Sequence, residues 1–210
     1  MTAASRDGGS RAERERDVAP DEVRRLTEWR EADAREARRH LRNILSVVRS
    51  LAGRTADEME TVEEFRILFD GRLAAFARAQ SVNVRTGLDL ARLIGDELLG
   101  FGIGLGEGGV EIDGGPVRLL PRAAGLLALL VHELVAEHAD KGGTGMARIA
   151  WIADDDLVID WSQDVGAGAF RPLPYWIGQA IAYKLKGRVS EDRGDGLVRR
   201  RIRLPRTCYI

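Results

Sequence analysis

A single histidine on a helical stretch is the first residue in this sequence that could carry chemistry. His40 lies between Arg39 and Leu41, and Asn43 follows three residues later. A neutral imidazole nitrogen is nucleophilic near physiological pH, so His40 is a candidate nucleophile. Arg39 cannot take that role, because its guanidinium stays protonated. The alternative is that His40 is a histidine on the flank of a helix without chemistry.

The residues around His40 have the spacing of a helix with one apolar stripe. At about 100° per residue, Arg39 points nearly opposite the stripe, and His40 lies about 80° from its centre. His40 can therefore still reach solvent. The stripe follows the i, i+3, i+4, i+7 pattern of a buried helix face and consists of Leu41, Ile44, Leu45, Val48, Leu51 and Ala52.

The predicted helix begins at Asp21, a candidate N-cap, and ends at Ala52, before Gly53 and the stretch 55–57. Residues 1–20 hold few apolar side chains, and we predict a disordered tail there.

The first half of this helix, from Asp21 to Arg38, is rich in charged residues. It is either a solvated extension or a second dimer or partner contact around Leu26 and Trp29.

A second helix is predicted over 61–79, and together with the first it forms an αα-hairpin spanning 21–82. One hairpin exposes an apolar stripe on each helix and cannot bury both. Two copies solve this by forming a four-helix bundle, although composition alone also allows packing on the chain's own C-terminal region. The second stripe consists of Val62, Phe65, Leu68, Phe69, Leu73, Phe76 and Ala77.

The rest of the chain, 88–210, alternates helices and strands and predicts helices on one face of a mixed sheet, an α/β sandwich. The fold class is therefore α+β. Predicted helices cover 88–99, 122–140 and 174–186. Predicted strands cover 110–112 and 117–119 around a turn at 113–115, then 146–152, 157–161, 188–190 and 197–204.

Composition and charge restrict the class of protein. A net charge of −1 gives no reason to expect nucleic acid or a membrane surface as partner. No stretch reaches the roughly 20 apolar residues needed to cross a bilayer, and no signal peptide is recognised. One cysteine, Cys208, excludes a disulfide framework within the chain. We expect a cytoplasmic protein.

The stretch Arg39–Asn43 resembles the phosphoacceptor motif of HWE and related HisKA_2 histidine kinases, which reads His-Arg-Val-Lys-Asn before an apolar run. The family's phosphorylated His falls on Arg39, which leaves His40 as the possible acceptor and Asn43 at the family's Asn position. Gly71-Arg72-Leu73 and Ala77-Arg78-Ala79 resemble the second helix of that family. The resemblance implies a dimerisation hairpin followed by an ATP-binding domain.

The first nucleotide box of the family resembles the sequence from His132 to Gly142, but its key residues are replaced. The family's magnesium-holding Asn falls on Glu137, its Lys on Asp140 and its Tyr on Lys141. A carboxylate can ligate magnesium. Two carboxylates near ATP phosphates would nevertheless cost on the order of a few kcal/mol for each like-charge pair about 4 Å apart.

The later boxes are also altered. The family's Trp-x-Glu becomes Trp161 and Gln163, followed by Asp164, Gly166 and Gly168, which resemble an adenine-reading loop or form a plain loop. The family's Gly-Phe-Gly-Thr becomes Pro174–Ile177, so the glycines that approach phosphates are lost and bulky aromatics take their place.

His132 and His138 lie six residues apart on one apolar helix, which is not ligand spacing. We read both as structural histidines and predict no metal site.

These residues predict a homodimeric, kinase-like protein of two-component signalling that uses neither ATP nor magnesium and docks response-regulator receiver domains. It resembles dimeric histidine phosphotransferases with a degenerate ATP domain. Its role would be either a phosphorelay through His40 or binding as a pseudokinase. The alternatives are an active ATP-dependent HWE-type kinase and a non-catalytic scaffold.

Overall fold

A computed structural model describes residues 9–80, 86–106, 109–140, 146–164 and 172–210, with side chains from residue 22 onward. The chain divides into two compact units, Met1–Glu58 and Met59–Ile210. The division falls at Glu58, whereas we predict a boundary between 82 and 88. The helix that follows Glu58 packs inside the second unit.

The first unit contains one helix, α1, over Gly9–Glu58. It starts earlier than the predicted Asp21, so the structure has helix over 9–20, where we predict a disordered tail. It also continues through Gly53, where we predict a break. A glycine inside a helix costs only about 1 kcal/mol relative to alanine, and a helix already formed propagates easily. The hydroxyl of Thr55 donates to the carbonyl oxygen of Leu51, 2.8 Å away, within the same helix.

Helix α2, over Val62–Gln80, begins the second unit and matches the predicted 61–79. Its start is fixed by a reciprocal capping box. The Glu64 N–H donates to the Thr61 hydroxyl at 3.2 Å, and the Thr61 N–H donates to the Glu64 carboxylate at 3.1 Å. Both helices of the predicted hairpin are therefore present. Their packing against each other, in one chain or in a dimer, stays a prediction.

Five strands of the second unit form one mixed sheet in the order β2-β4-β5-β7-β6. The β2–β4 pair is parallel and the other pairs are antiparallel. A two-stranded sheet pairs β1 with β3. The bounds are β1 Leu88–Asp89, β2 Val110–Gly114, β3 Arg118–Leu119, β4 Ala147–Ala153, β5 Asp156–Asp164, β6 Arg188–Gly194 and β7 Leu197–Pro205.

The strands predicted on either side of the turn at 113–115 are both present, but they do not pair with each other. Leu119 lies opposite Leu88, and Val110 lies opposite Ala147. Because the predicted strands were short, local spacing could not select their partners.

The helices of the second unit cover one face of the large sheet, as predicted. Residues at alternate positions of β5 and β7 point into the core, among them Ile159, Trp161, Ile202 and Leu204. A π-helical turn, Ile181–Leu185, extends the last helix. The helices after α2 are α3 Leu90–Gly100, α4 Pro121–Asp140 and α5 Tyr175–Ala180.

Helix α2 packs closely on α4, because a glycine on each helix opens space for a ring on the other. A Cβ on Gly71 would lie 2.9 Å from the imidazole of His132, and one on Gly125 would lie 2.8 Å from the ring of Phe76. The C-terminal half of α2 is therefore buried by its own chain, the packing that composition alone had left open. Within the described residues, no helix combines the length and apolar character needed to cross a membrane.

Candidate functional site: an exposed helix and a buried ion-pair cluster

The candidate acceptor residues lie on the solvent-exposed part of α1. Arg39, His40 and Asn43 are all exposed. Arg39 forms an ion pair with Glu36, one turn earlier on the same helix, and its side chain remains 65% exposed. The flank position predicted for His40 thus leaves its imidazole accessible to a partner. Arg39 presents a fixed positive charge beside it.

The apolar stripe of α1 is exposed at Leu41 and Leu45 in a single chain, whereas Ile44 and Val48 are half-buried and Leu51 is buried. Leu41 and Leu45 expose 56% and 58% of their surface, and the extension adds exposed Val23, Leu26 and Trp29. Contiguous exposed apolar surface on a helix is typical of an interaction site. This observation supports the predicted association of α1 with another helix.

The predicted magnesium position is taken up by an internal ion pair. Glu137, on α4, faces Arg200 on β7, and its Oε2 lies 2.6 Å from the guanidinium Nη1. Glu191, on the edge strand β6, holds Nε of the same guanidinium at 2.8 Å. Glu137 and Arg200 are both buried. We refer to Glu137, Arg200 and Glu191 as the α4–sheet triad.

The triad changes the electrostatics that the sequence suggests. Burial alone would raise the pKa of Glu191, but hydrogen bonds from Arg200 and Arg193 outweigh it and hold that pKa below its usual range. Glu191 is therefore charged near neutral pH. A guanidinium contact also compensates the charge of Glu137, so the repulsion expected between Glu137 and ATP phosphates is offset within the protein.

The position of the lost glycine box is used for packing. The guanidinium carbon of Arg72 lies over the ring of Trp176, on α5, at 5.5 Å from the ring centroid. Arg72, on α2, is fully buried, and its Nε donates to Glu133 of α4 at 2.6 Å. The aromatic side chain that replaces the phosphate cradle thus links α5 to α2.

Tyr175, in contrast, does not fill the predicted nucleotide space. It is 80% exposed, and its hydroxyl accepts from the Gln179 amide at 2.6 Å.

The remaining predicted positions lie at the end of β5. Trp161 is buried, and its indole N–H donates to the side-chain amide oxygen of Gln163 at 3.0 Å. The ring of His138 meets Trp161 edge-on, with centroids 6.3 Å apart. Asp164 closes the strand. Gly166 and Gly168, predicted as part of an adenine loop, lie outside the described residues.

His132 has the structural contacts of a core histidine. Its Nδ1 lies 2.7 Å from Glu97 of α3, and Arg78 of α2 pairs with the same carboxylate. Burial alone would raise the pKa of Glu97, but the hydrogen bonds from His132 and Arg78 outweigh it and lower that pKa. The three side chains join α2, α3 and α4.

Two of the family's nucleotide positions are engaged in internal contacts within the described residues. The carboxylate at the magnesium position is bound to an internal arginine, and the cradle position holds Trp176. A cavity of about 510 Å³ persists between α5 and β6, with Arg200 and Glu191 in its wall. In the part of the chain that the structure describes, no three His, Cys, Asp or Glu side chains converge as metal ligands.

Arg200, Glu191, Arg72 and Glu97 were not predicted from the sequence as parts of this site. Arg200 did carry a signal. Val198, Ile202 and Leu204 alternate along β7 and face the core, and Arg200 occupies the same phase. An arginine in an inward position of a strand requires a buried carboxylate. Glu137, at an equally buried position of α4, is that carboxylate.

Comparison with known proteins confirms the resemblance. The sequence model of the HWE histidine kinase family matches residues 36–114, which include the C-terminal part of α1 with Arg39, His40 and Asn43 and end before α4. No curated protein matches the sequence.

Solved structures support the fold. A blue-light activated histidine kinase from Erythrobacter litoralis EL346 superposes with a TM-score of 0.59 at 15% identity, over 80% of this chain and 59% of that one. The histidine kinase domain of that protein gives a TM-score of 0.50 at 14% identity, over 78% of this chain and 96% of the domain. The chain thus spans 59% of the length of the whole kinase. The second unit and the helix before it therefore have a histidine-kinase-like fold.

Proposed function

We propose that this chain is a two-component signalling protein with a histidine-kinase fold that docks response-regulator receiver domains and makes no use of ATP. It acts as a histidine phosphotransferase or as a pseudokinase that binds without taking phosphate. Because receivers are intracellular partners, a cytoplasmic location belongs to the same proposal. A homodimer formed through α1 and α2 is the expected assembly.

One observation carries the proposal: the nucleotide positions are engaged in internal contacts while the acceptor positions are open. Glu137 and Trp176 each contact a buried arginine of the chain. His40 and Asn43 face solvent. A protein that uses ATP for phosphorylation would need the side chains at the positions of Glu137 and Trp176 to be available to the nucleotide.

The transfer step in the phosphotransferase form involves His40 and an aspartyl phosphate of the receiver. The unprotonated imidazole nitrogen attacks phosphorus, a nitrogen–phosphorus bond forms, and the bond from phosphorus to the aspartyl oxygen breaks. The aspartate leaves as a carboxylate, and the imidazolium loses its remaining ring proton to solvent. Asn43, one turn further along α1, is placed to donate to a phosphoryl oxygen.

The binding-only form relies on Arg39. Its guanidinium stands at the family's acceptor position and cannot be phosphorylated, but it offers a planar donor to carboxylates. The phosphorylation pocket of a receiver is acidic, so Arg39 would complement it electrostatically. We favour this form, because the family's histidine stands opposite the apolar stripe of the helix, whereas His40 lies on the flank of that stripe.

The test has two parts. Calorimetry with ATP and magnesium should show no binding tighter than about 1 mM. Micromolar affinity would contradict the proposal and favour an active kinase. A phosphorylated receiver is then mixed with the protein, and acid-labile phosphate and complex formation are measured together.

Acid-labile phosphate on the protein identifies a phosphotransferase. A complex with the receiver in which the protein carries no such phosphate identifies a receiver-binding pseudokinase. If there is neither, the two-component assignment fails and a scaffold remains. His40→Ala is the matched control, since it should abolish label without changing the oligomeric state.

A further inference from the structure

The α4–sheet triad suggests why the nucleotide site is closed. We infer that Arg200 is a resident cation: its guanidinium occupies the site, and this occupancy, rather than repulsion by carboxylates, excludes ATP. The inference rests on the proposed function and adds the residue that determines it.

The geometry places Arg200 where it closes the site from the sheet side. Arg200 lies opposite Trp161 in the β5–β7 ladder and is 1% exposed. From there its guanidinium reaches α4 at Glu137 and the edge strand at Glu191, 2.6 and 2.8 Å away. One side chain therefore spans the gap between helix α4 and strand β6.

Charge compensation argues against simple repulsion. A divalent cation at a carboxylate supplies positive charge to oxygen atoms that would otherwise repel phosphate. In this chain a covalently attached guanidinium supplies it to Glu137. Moving Arg200 away would leave the charge of Glu137 uncompensated in a low-dielectric interior. Displacement of Arg200 is therefore energetically unfavourable. A nucleotide would have to displace it.

The cavity beside the triad is consistent with partial filling. It measures about 510 Å³, within the usual size of ligand sites, and Arg200 and Glu191 form part of its wall. Arg200 is a single side chain on a strand of the sheet, which makes its effect testable by substitution.

The first experiment separates occupancy from repulsion. Glu137→Gln removes the negative charge but keeps an oxygen for Arg200, so occupancy predicts that ATP with magnesium still binds no tighter than about 1 mM. Repulsion predicts a gain of ATP binding. If Glu137→Gln binds ATP while the wild type does not, the inference is wrong and the proposed function stands. If the wild type itself binds ATP, the proposed function fails first.

The second experiment tests whether Arg200 acts as a cation that can be replaced. Arg200→Ala should lower the melting temperature by about 5 °C or more. Methylguanidinium at about 10 mM should restore at least half of that loss, because it can bind between the two carboxylates that Arg200 contacts in the wild type. Arg203→Ala is the matched control. Arg203 lies on the same strand, and its Nε pairs with Asp156 at 2.5 Å, but its side chain is 65% exposed.

The control should change the melting temperature by no more than about 1 °C and should not respond to methylguanidinium. Equal stability of Arg200→Ala and Arg203→Ala, or a loss that methylguanidinium does not restore, overturns the inference. If Arg200→Ala does not fold, Arg200→Lys decides. If the melting temperature of Arg200→Lys lies more than about 3 °C below that of the wild type, the site requires a guanidinium, as inferred. If the melting temperature is unchanged, the inference is wrong.

Discussion

Helices α1 and α4 carry the two sets of family-like residues, and they stand in opposite relations to water. From residue 22 to residue 43 every side chain of α1 is exposed, and the ion pair of Arg39 with Glu36 lies on the surface. On α4 the residues Ala123–His138 are buried except Leu126, and Glu133 and Glu137 pair with arginines of other elements. Exposed charges remain available to a partner, whereas buried charges are committed to the fold.

The difference has an energetic consequence for which side chains can be changed. A surface ion pair contributes about 0–1 kcal/mol, so Arg39 and Glu36 constrain the sequence of α1 very little. A broken buried pair costs about 3–5 kcal/mol, so Glu133 and Glu137 cannot be changed one at a time without loss. On this comparison, the carboxylates of α4 are committed to packing, whereas the charged side chains of α1 remain accessible.

The largest expected effect comes from breaking a buried pair on α4. Glu133→Gln removes the carboxylate from fully buried Arg72 and should cost about 3–5 kcal/mol of unfolding free energy. At this chain length the melting temperature should fall by about 6–20 °C. Glu36→Gln, the matched change on α1, should stay within about 0.5 kcal/mol. Equal losses for the two variants would remove the contrast between the helices.

The next effect concerns the exposed stripe of α1. Leu45→Asp leaves a single chain folded, since the side chain is 58% exposed, but it would bury a charge in a dimeric bundle. The dissociation constant of the homodimer should rise by about 100-fold or more, measured by sedimentation. Phe69→Asp on α2 should act in the same direction.

Ser46→Asp, at an exposed position next to Leu45, is the control and should leave association unchanged. A wild-type protein that sediments as a monomer would refute the bundle.

A smaller effect, on phosphate uptake, is expected from changes at Arg39 and His40. Arg39→His restores the family's histidine at its usual angle and should raise acid-labile phosphate uptake from a phosphorylated receiver by about 10-fold over the wild type. His40 would remain in that variant, so the double change with His40→Ala isolates the new acceptor. Unchanged uptake, with receiver binding intact, would show that the helix no longer presents a histidine productively at either position.

The smallest effect is a pH dependence in the buried layer. Glu97 is faced by Arg78 from α2 and His132 from α4, and its pKa is lowered. A depressed carboxyl pKa contributes stability above the unfolded value of about 4.3, and this contribution is lost as pH falls through the folded value. The melting temperature should therefore drop on acidification below about pH 4, and Glu97→Gln should flatten that part of the profile. An equally steep profile in the variant would assign the acid sensitivity to other carboxylates.

Periodicity predicted most elements because each depends on neighbours in sequence. Helix α2 and helix α4 agree with the predicted ranges to within a residue or two, and Thr61 with Glu64 fixes the start of α2 through contacts three residues apart. The exposure of His40 likewise followed from counting residues around one helix. Local spacing did not fix the strand partners, since β2 and β3 each pair with a strand distant in sequence.

The nucleotide site illustrates the limit of this reasoning most clearly. From the sequence alone, Glu137 and Asp140 were two negative charges expected to repel phosphates. The partner of Glu137 stands 63 residues further along the chain at Arg200, and Trp176 meets Arg72 across an even larger separation. No local pattern connects such positions, although the inward phase of Arg200 on β7 indicated that a buried carboxylate was needed.

The sequence by itself determined the helix and strand pattern, the family resemblance, the displaced histidine and the loss of the phosphate-binding glycines. These properties reside in residue types and in spacings shorter than one element. Only the tertiary structure decided that Glu137 is neutralised by Arg200, that Arg72 and Arg78 fasten α2 to α4 and α3, and that Tyr175 stays in solvent. Electrostatic energy depends on distance and burial, and both are set when distant segments pack together.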